Sequence, residues 1–395
     1  MDLPLLREKL DQAVALLDEY NLDVWLTFVR ETSLTADPAL QLICGLDLVW
    51  HSAFVLSRTG ERIAIVGRYD AENLIRSKLY THVIGYDQSL RTSLRNTIEG
   101  LNPQTIALNY SVSDPAADGL TFGLWATLQE IFADTPYAGR FVSAEKFLAA
   151  LRGRKSNAEV ERIRLAIRAT EKLFARLSNS LRPGMSEKRI ADFLHAEREQ
   201  LGLGTAWDAP YCPTVNAGPD SPIGHTLPGE CRTARGHLLH VDFGVRRDGF
   251  CSDLQRMWYF LDKGERRAPD DVQRAWDACW SALDAGAERL RPGAIGWEVD
   301  AAAREALVNA GYAEYQHALG HQLGRVAHDG AVLLGPRWDR YGQAPYGEIE
   351  AGNVFTLELG VFVPERGYLG LEEDVLVTAG GIEWLSKPQR KLWLI

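Results

Sequence analysis

Four acidic residues of this chain fall on strand-like runs, and they fall in pairs. Residues 238–245 (LLHVDFGV) and 250–260 (FCSDLQRMWYF) read as two strands joined around Arg247-Asp248-Gly249. Pairing them about a centre at 247.5 predicts Asp242 directly opposite Asp253. Residues 354–363 (VFTLELGVFV) and 368–378 (YLGLEEDVLVT) flank Pro364-Glu365-Arg366-Gly367, and the same count predicts Glu358 opposite Glu372. Directly opposed side chains have Cβ atoms about 4.5–5.5 Å apart. Two half-buried carboxylates at that distance repel, so either one holds a proton or cations lie between them. Two such pairs are a costly way to build a sheet, whereas a dinuclear metal site asks for them. Alternation sends Glu373 to the opposite face from Glu372, and Asp374 shares the face but lies out of register with Glu358. Glu372 is therefore the candidate ligand.

Histidine supplies the other ligand type. The segment HALGHQLGRVAHDG holds His317, His321 and His328 at spacings of four and seven, a concentration in a chain with nine histidines. One face of an amphipathic helix is the plain alternative. Gly320 and Gly324 weaken a helix by about 1 kcal/mol each and favour close backbone approach instead. His225 sits in NAGPDSPIGHTLPGE, a Gly- and Pro-rich loop consistent with a pocket wall.

The elements that must position these residues occupy the second part of the chain. There, Ser156 and Glu159 form a capping box that opens a helix with Val160, Ile163, Ile167, Phe174 and Leu177 inward. A similar helix is predicted to be capped by Asp270 with Gln273 and lined by Val272, Trp276, Cys279 and Leu283. Each helix ends in the same tetrapeptide, Leu181-Arg182-Pro183-Gly184 and Leu290-Arg291-Pro292-Gly293. A second amphipathic helix (about 187–200 and 297–310) and glycine-punctuated β segments follow each time. An internal duplication accounts for this order, with two α/β halves facing each other. Residues 1–150 alternate helix-like and strand-like stretches, including strands at 24–29, 52–57, 62–67 and 105–110 and a helix at 123–132. They hold no cluster of metal-ligand or nucleophile type, and Arg30-Glu31 and Asp37-Pro38 read as solvated loop.

Composition narrows the function classes. The chain has 395 residues, 46% hydrophobic and 24% charged, with a net charge of −10. No basic footprint invites a nucleic acid. The N-terminus carries acids early and lacks the apolar core of a secretory signal, and no stretch approaches the roughly 18 apolar residues of a membrane helix. Five scattered cysteines without a C-x-x-C motif read as reduced thiols of a cytoplasmic protein.

The motifs resemble the pita-bread metallopeptidases, in the branch of prolidase (Xaa-Pro dipeptidase) and Xaa-Pro aminopeptidase. The likeness spans nearly the whole chain: V-D-F-G with Asp253 and Arg256 beyond it, G-H-Q-L-G at 320–324, T-L-E-L-G at 356–360 and L-E-E-D-V-L-V-T at 371–378. The resemblance implies an α+β fold, with a creatinase/prolidase-like α/β N-terminal domain (1–150) followed by a duplicated pita-bread catalytic domain (151–395). It implies two divalent metal ions, Mn, Co or Zn. Asp242 would chelate one, His321 and Glu358 the other, and Asp253 and Glu372 would bridge them. Glu358 would also carry protons, and His225, His317 and His328 would face the substrate and the tetrahedral intermediate. The implied substrate is a short peptide, the reaction is hydrolysis after its N-terminal residue, and the implied assembly is a homodimer.

Three positions depart from the family pattern. Arg247 stands where the family often has Tyr, Gly370 where prolidases and Xaa-Pro aminopeptidases usually have Arg, and Leu359 where Pro follows the fourth ligand. An Xaa-Pro dipeptidase needs a cation for the substrate carboxylate, for which Arg247, Arg325 and Arg366 are candidates, with an arginine of the N-terminal domain as the alternative. An Xaa-Pro or broader aminopeptidase does not. Readings from other classes are a metal-free creatinase-like amidinohydrolase and a non-catalytic peptide-binding protein, neither of which requires all five ligands.

Overall fold

The computed structural model describes residues 2–224 and 226–395. By compactness the chain divides into two units, Met1–Gly153 and Arg154–Ile395.

The first unit contains helices α1 (Leu3–Glu19), α2 (Leu40–Ile43), α3 (Arg68–Ser77), α4 (Arg91–Leu101), α5 (Phe122–Phe132) and α6 (Glu145–Gly153). Its strands are β1 (Val24–Val29), β2 (Ser52–Ser57), β3 (Arg62–Gly67), β4 (His82–Tyr86), β5 (Ile106–Leu108) and β6 (Phe141–Ser143). They form one sheet in the order β4-β3-β2-β1-β5-β6. Trp25 and Val29 of β1 enter one apolar cluster while Val24, Leu26 and Phe28 enter another, so both faces of the sheet are covered. Asp37 is no solvated loop residue. It is buried, accepting hydrogen bonds from the Ala39 N–H and Asn109 Nδ2 (both 2.8 Å).

The second unit opens with α7 (Asn157–Ser180), whose capping box of Ser156 and Glu159 is formed. α8 (Glu187–Gln200), α9 (Asp270–Arg289) and α10 (Gly296–Asn309) complete its helices. α9 starts on Pro269, and its N-terminus has no side-chain cap. Asp270 is already its first helical residue, so the expected cap does not form. The two Leu-Arg-Pro-Gly turns end α7 and α9, and each turns on a glycine with positive φ, 91° at Gly184 and 84° at Gly293. Helix, turn and helix recur in each half.

The strands of this unit are β7 (Gly204–Thr205), β8 (Thr214–Ala217), β9 (Leu238–Phe243), β10 (Val245–Arg247), β11 (Phe250–Cys251), β12 (Leu254–Tyr259), β13 (Gly320–His321), β14 (Leu333–Leu334), β15 (Val354–Val363), β16 (Gly367–Thr378), β17 (Gly381–Trp384) and β18 (Trp393–Leu394). The main sheet runs β15-β16-β12-β9-β8, with β17 and β18 attached. Phe174 of α7 packs edge-on to Phe243, centroids 6.1 Å apart, and tilted against Trp258 at 6.0 Å. Val272, Trp276 and Leu283 of α9 share a core with Phe355, Leu357 and Leu371. These partners alternate with Asp242, Glu358 and Glu372 along their strands. Covering one face with helices thus leaves the acids on the other.

Candidate metal centre

Strand register assembles the acids. Glu358 is paired directly with Glu372 across β15 and β16, as counted from the turn. Across β9 and β12, however, Asp242 faces Gln255, and Asp253 lies two residues further along the strand. The expected Asp242–Asp253 opposition is therefore corrected. The hairpin turns on Asp248 and Gly249 alone, at φ 50° and 81°, with Arg247 paired to Phe250. Two positive φ values mark the tight turn that an Asp-Gly dipeptide favours, and its centre shifts every pair along the ladder. Both strands also break, at Gly244 and at Ser252-Asp253, where a Cβ on Gly244 would run into the Ser252 carbonyl oxygen.

The outcome is one row across the sheet: Thr214, Asp242, Gln255, Glu372 and Glu358, each the direct neighbour of the next. Asp253 reaches the same place from the break. Its carboxyl is raised in pKa by burial and by the nearby Asp242, and its N–H donates to Asp374 Oδ2 (3.2 Å). Glu373 points away, held by Arg256 at 3.0 Å and Ser386 at 2.5 Å, as alternation requires.

His321 is not helical. It sits on β13, its N–H donating to Thr356 Oγ1 (3.2 Å), and its Nε2 lies 3.8 Å from Asp253 Oδ2 and 3.9 Å from Glu358 Oε1. Gly320 and Gly324 make the close approaches expected of them. A Cβ would collide with the Thr356 carbonyl at the first and the Asp329 carboxylate at the second. That carboxylate forms a buried ion pair with Lys155 (3.2 Å) and accepts the Arg325 N–H (3.0 Å), folding the loop so that His328 meets His321 ring to ring. His317 lies exposed at the cavity, with its carbonyl accepting from Arg304 Nη2 (2.7 Å). His225 lies outside the described residues.

Ligand atoms of Asp253, His321 and Glu372 all lie within 4.8 Å of one another. Asp242 Oδ1 is buried and has no hydrogen-bond partner among the described residues. Burial raises the carboxyl pKa of Asp242 to about 7, and burial with the nearby Asp242 charge raises Glu358 to about 8, against a hydrogen bond from Gln255. Asp253 is held well above the usual range by burial and by the charges of Asp242, Asp374 and Glu358, and Glu372 by burial and by the charges of Asp253 and Glu358. Burial depresses His321 to about 3, which keeps the imidazole neutral and its lone pair available. Four acids that repel, an orphaned carboxylate oxygen and a neutral histidine are the donor set of a divalent-cation site.

Asp242, His321 and Glu358 line a cavity of about 880 Å³ together with His317, His328, Tyr315, Tyr368, Gln255 and Arg340. Its size is that of a small-molecule site. Sequence reasoning missed Gln255, Tyr315, Tyr368 and Arg340. A correct strand register would have exposed Gln255; nothing local marks the others. None of the three arginines proposed for a substrate carboxylate lines the cavity. Arg247 is on the hairpin turn near Asp248, Arg325 stacks on Phe250 at 5.0 Å, and Arg366 donates to the Gly236 carbonyl (3.0 Å) and Asp271 (3.3 Å).

The sequence profile of metallopeptidase family M24 matches residues 161–379. The Xaa-Pro dipeptidase of Pyrococcus furiosus is 28% identical over 279 residues, which cover 69% of this chain and 75% of that protein. An Xaa-Pro dipeptidase structure from Bacillus anthracis matches with a TM-score of 0.76 at 21% identity, covering 99% of this chain and 100% of that one. An X-Pro aminopeptidase structure from Thermotoga maritima matches with a TM-score of 0.73 at 24% identity, covering 98% and 99%.

Proposed function

The chain belongs to metallopeptidase family M24, with the pita-bread fold of the prolidase and Xaa-Pro aminopeptidase branch, and we propose that it is a dinuclear Xaa-Pro dipeptidase. The observation that carries this reading is the row of Asp242, Glu372 and Glu358 with Asp253 and His321 converging on it. Those five residues would hold the cations, Mn, Co or Zn. Bound cations supply polarisation of the scissile carbonyl and acidification of a water.

The remaining work falls to side chains. Glu358 lines the cavity and can take a proton from water there and pass it to the leaving nitrogen. His328 and His317, also lining it, are placed to donate to the developing oxyanion, and His225 is assigned the same role by its motif. Presence of all five ligands argues against a metal-free amidinohydrolase and against a non-catalytic binder. We assign residues 1–150 as the prolidase-like N-terminal domain and 151–395 as the catalytic domain, which the division into two units supports. We assign the chain to the cytoplasm from its cysteine usage; no helix among the described residues is long and apolar enough to cross a membrane. The first unit leaves Leu34, Tyr69, Val112 and Phe122 more than 80% exposed, which supports a homodimer, to be measured by light scattering.

One observation favours an aminopeptidase instead: the arginines expected to read a free substrate carboxylate lie away from the cavity. Metal analysis of the purified protein, with hydrolysis of Ala-Pro, Ala-Leu and Ala-Pro-Ala, tests both. Cleavage of Ala-Pro alone supports the dipeptidase, cleavage of Ala-Pro-Ala the aminopeptidase, and full activity after chelation overturns the metallopeptidase reading.

A further inference from the structure

We infer that Gln255 is a positioning residue for Glu358, clamped by His240 in space that Gly370 leaves open. The inference rests on the assignment of Glu358 as ligand and proton carrier. In the row across the sheet, Gln255 is the one amide between acids, directly beside Asp242 on one side and Glu372 on the other. A carboxylate there would add a fifth repelling charge, and an apolar side chain would donate nothing. The amide avoids both costs. Its Nε2 donates to Glu358 Oε2 (3.2 Å), while Glu358 Oε1 is the oxygen turned toward His321 (3.9 Å). One hydrogen bond therefore fixes which oxygen of Glu358 faces the ligand cluster.

A glutamine side chain is flexible and costly to order, so something must hold it. Gln255 Oε1 lies 2.8 Å from His240 Nε2, and His240 Nδ1 lies 2.9 Å from Asn216 Oδ1. Asn216 is anchored in turn, its Nδ2 donating to the Pro222 carbonyl (2.8 Å) and Ser221 Oγ (3.2 Å). The ring of Tyr368 meets His240 edge-on, centroids 5.0 Å apart. Burial keeps His240 neutral, so it has one N–H, which on Nε2 donates to Gln255 Oε1, while its Nδ1 only packs against the Asn216 side chain. With Gln255 6% and His240 4% exposed, bulk water cannot replace that donor.

The arrangement excludes a side chain at position 370. A Cβ on Gly370 would come 2.5 Å from Gln255 Oε1 and 2.9 Å from His240 Nε2. The missing arginine and the buried amide–imidazole pair are thus one structural fact.

The test uses the chelator-stripped full chain titrated with Mn²⁺ by calorimetry, alongside Ala-Pro kinetics. Gln255→Met keeps the volume and removes the donor. It should weaken Mn²⁺ binding by about 10–100-fold, the usual effect of losing a ligand's hydrogen-bond partner, and lower kcat more than it raises KM. His240→Phe should do the same and stands in if the first variant does not fold. Gly370→Ala should reproduce the loss in the native background and add nothing to Gln255→Ala. Native Mn²⁺ affinity in Gln255→Met, or losses that simply add, would overturn the inference. Glu358→Gln separates it from the reading beneath it. Native binding and turnover in that variant overturn the Glu358 assignment and this inference with it. Loss there beside a native-like Gln255→Met overturns this inference alone.

Discussion

His321 and His328 meet with ring centroids 4.1 Å apart and planes at 85°, although six residues separate them in the chain. The buried Lys155–Asp329 pair and the glycine at 324 create that contact. It places one imidazole among the acids and the other against its edge in the cavity.

His328→Ala should therefore lower kcat by about 10²–10³-fold, the range for losing a group that stabilises transition-state charge. Metal content should stay near native. If metal is lost instead, measured by elemental analysis, His328 is a ligand and the contact has been misread.

Asp253→Ala should abolish activity and lower bound metal, because this carboxyl lies within 4.8 Å of ligand atoms of both His321 and Glu372. Chelation of the native protein should have the same effect on activity, reversed by Mn²⁺, Co²⁺ or Zn²⁺. Full turnover in the variant would contradict a dinuclear centre.

The metal-free chain should lose stability as pH rises. Asp242 and Glu358 titrate in the fold near about 7 and 8, but near 4 once unfolded. Between those values the folded state holds protons that the unfolded state has released. Their contribution is complete below about pH 4 and is lost as pH climbs toward 8. His321, depressed to about 3, acts oppositely, but only up to its unfolded value near 6.5. Urea unfolding of stripped protein should give a lower free energy at about pH 8 than at about pH 6.5, with Mn²⁺ restoring it. Equal values without metal would contradict the burial of these acids.

Arg340 lines the cavity, held by the Gln316 carbonyl (2.5 Å) and stacked over Trp338 (4.7 Å) and Tyr341 (4.8 Å). If the enzyme reads a free substrate carboxylate, Arg340→Ala should raise KM for Ala-Pro about tenfold, a loss of about 1.4 kcal/mol. KM for the C-terminal amide should change far less. Equal effects on acid and amide would favour an aminopeptidase of open substrate length.

Much of this architecture was legible from residue order. The count about residue 365 placed Glu358 against Glu372 because the turn there is symmetric, Val363 pairing with Gly367. The same method misplaced Asp242, since it centred the hairpin at 247.5, whereas the Asp248-Gly249 pair centres it at 248.5. Gly320 and Gly324 signalled close approach correctly because only a missing side chain permits it. Gln255 stayed hidden, since an amide acquires meaning only once the register sets it between acids. Asp37 was misread for a related reason: its partner Asn109 comes from a distant strand end.

The seam between the duplicated halves runs through the centre. Asp242 and Asp253 belong to the first half, whereas His321, Glu358 and Glu372 belong to the second, and Gln255 opposite Glu372 is where strands of the two halves meet within the main sheet. On the ribosome, where chains emerge N-terminus first, the first two acids must wait for almost the entire protein. The strand carrying Glu372 is among the last to appear. If these five residues hold the cations as proposed, the full donor set exists only after β16 has emerged, and a truncated product that lacks β16 would lack the Glu372 ligand.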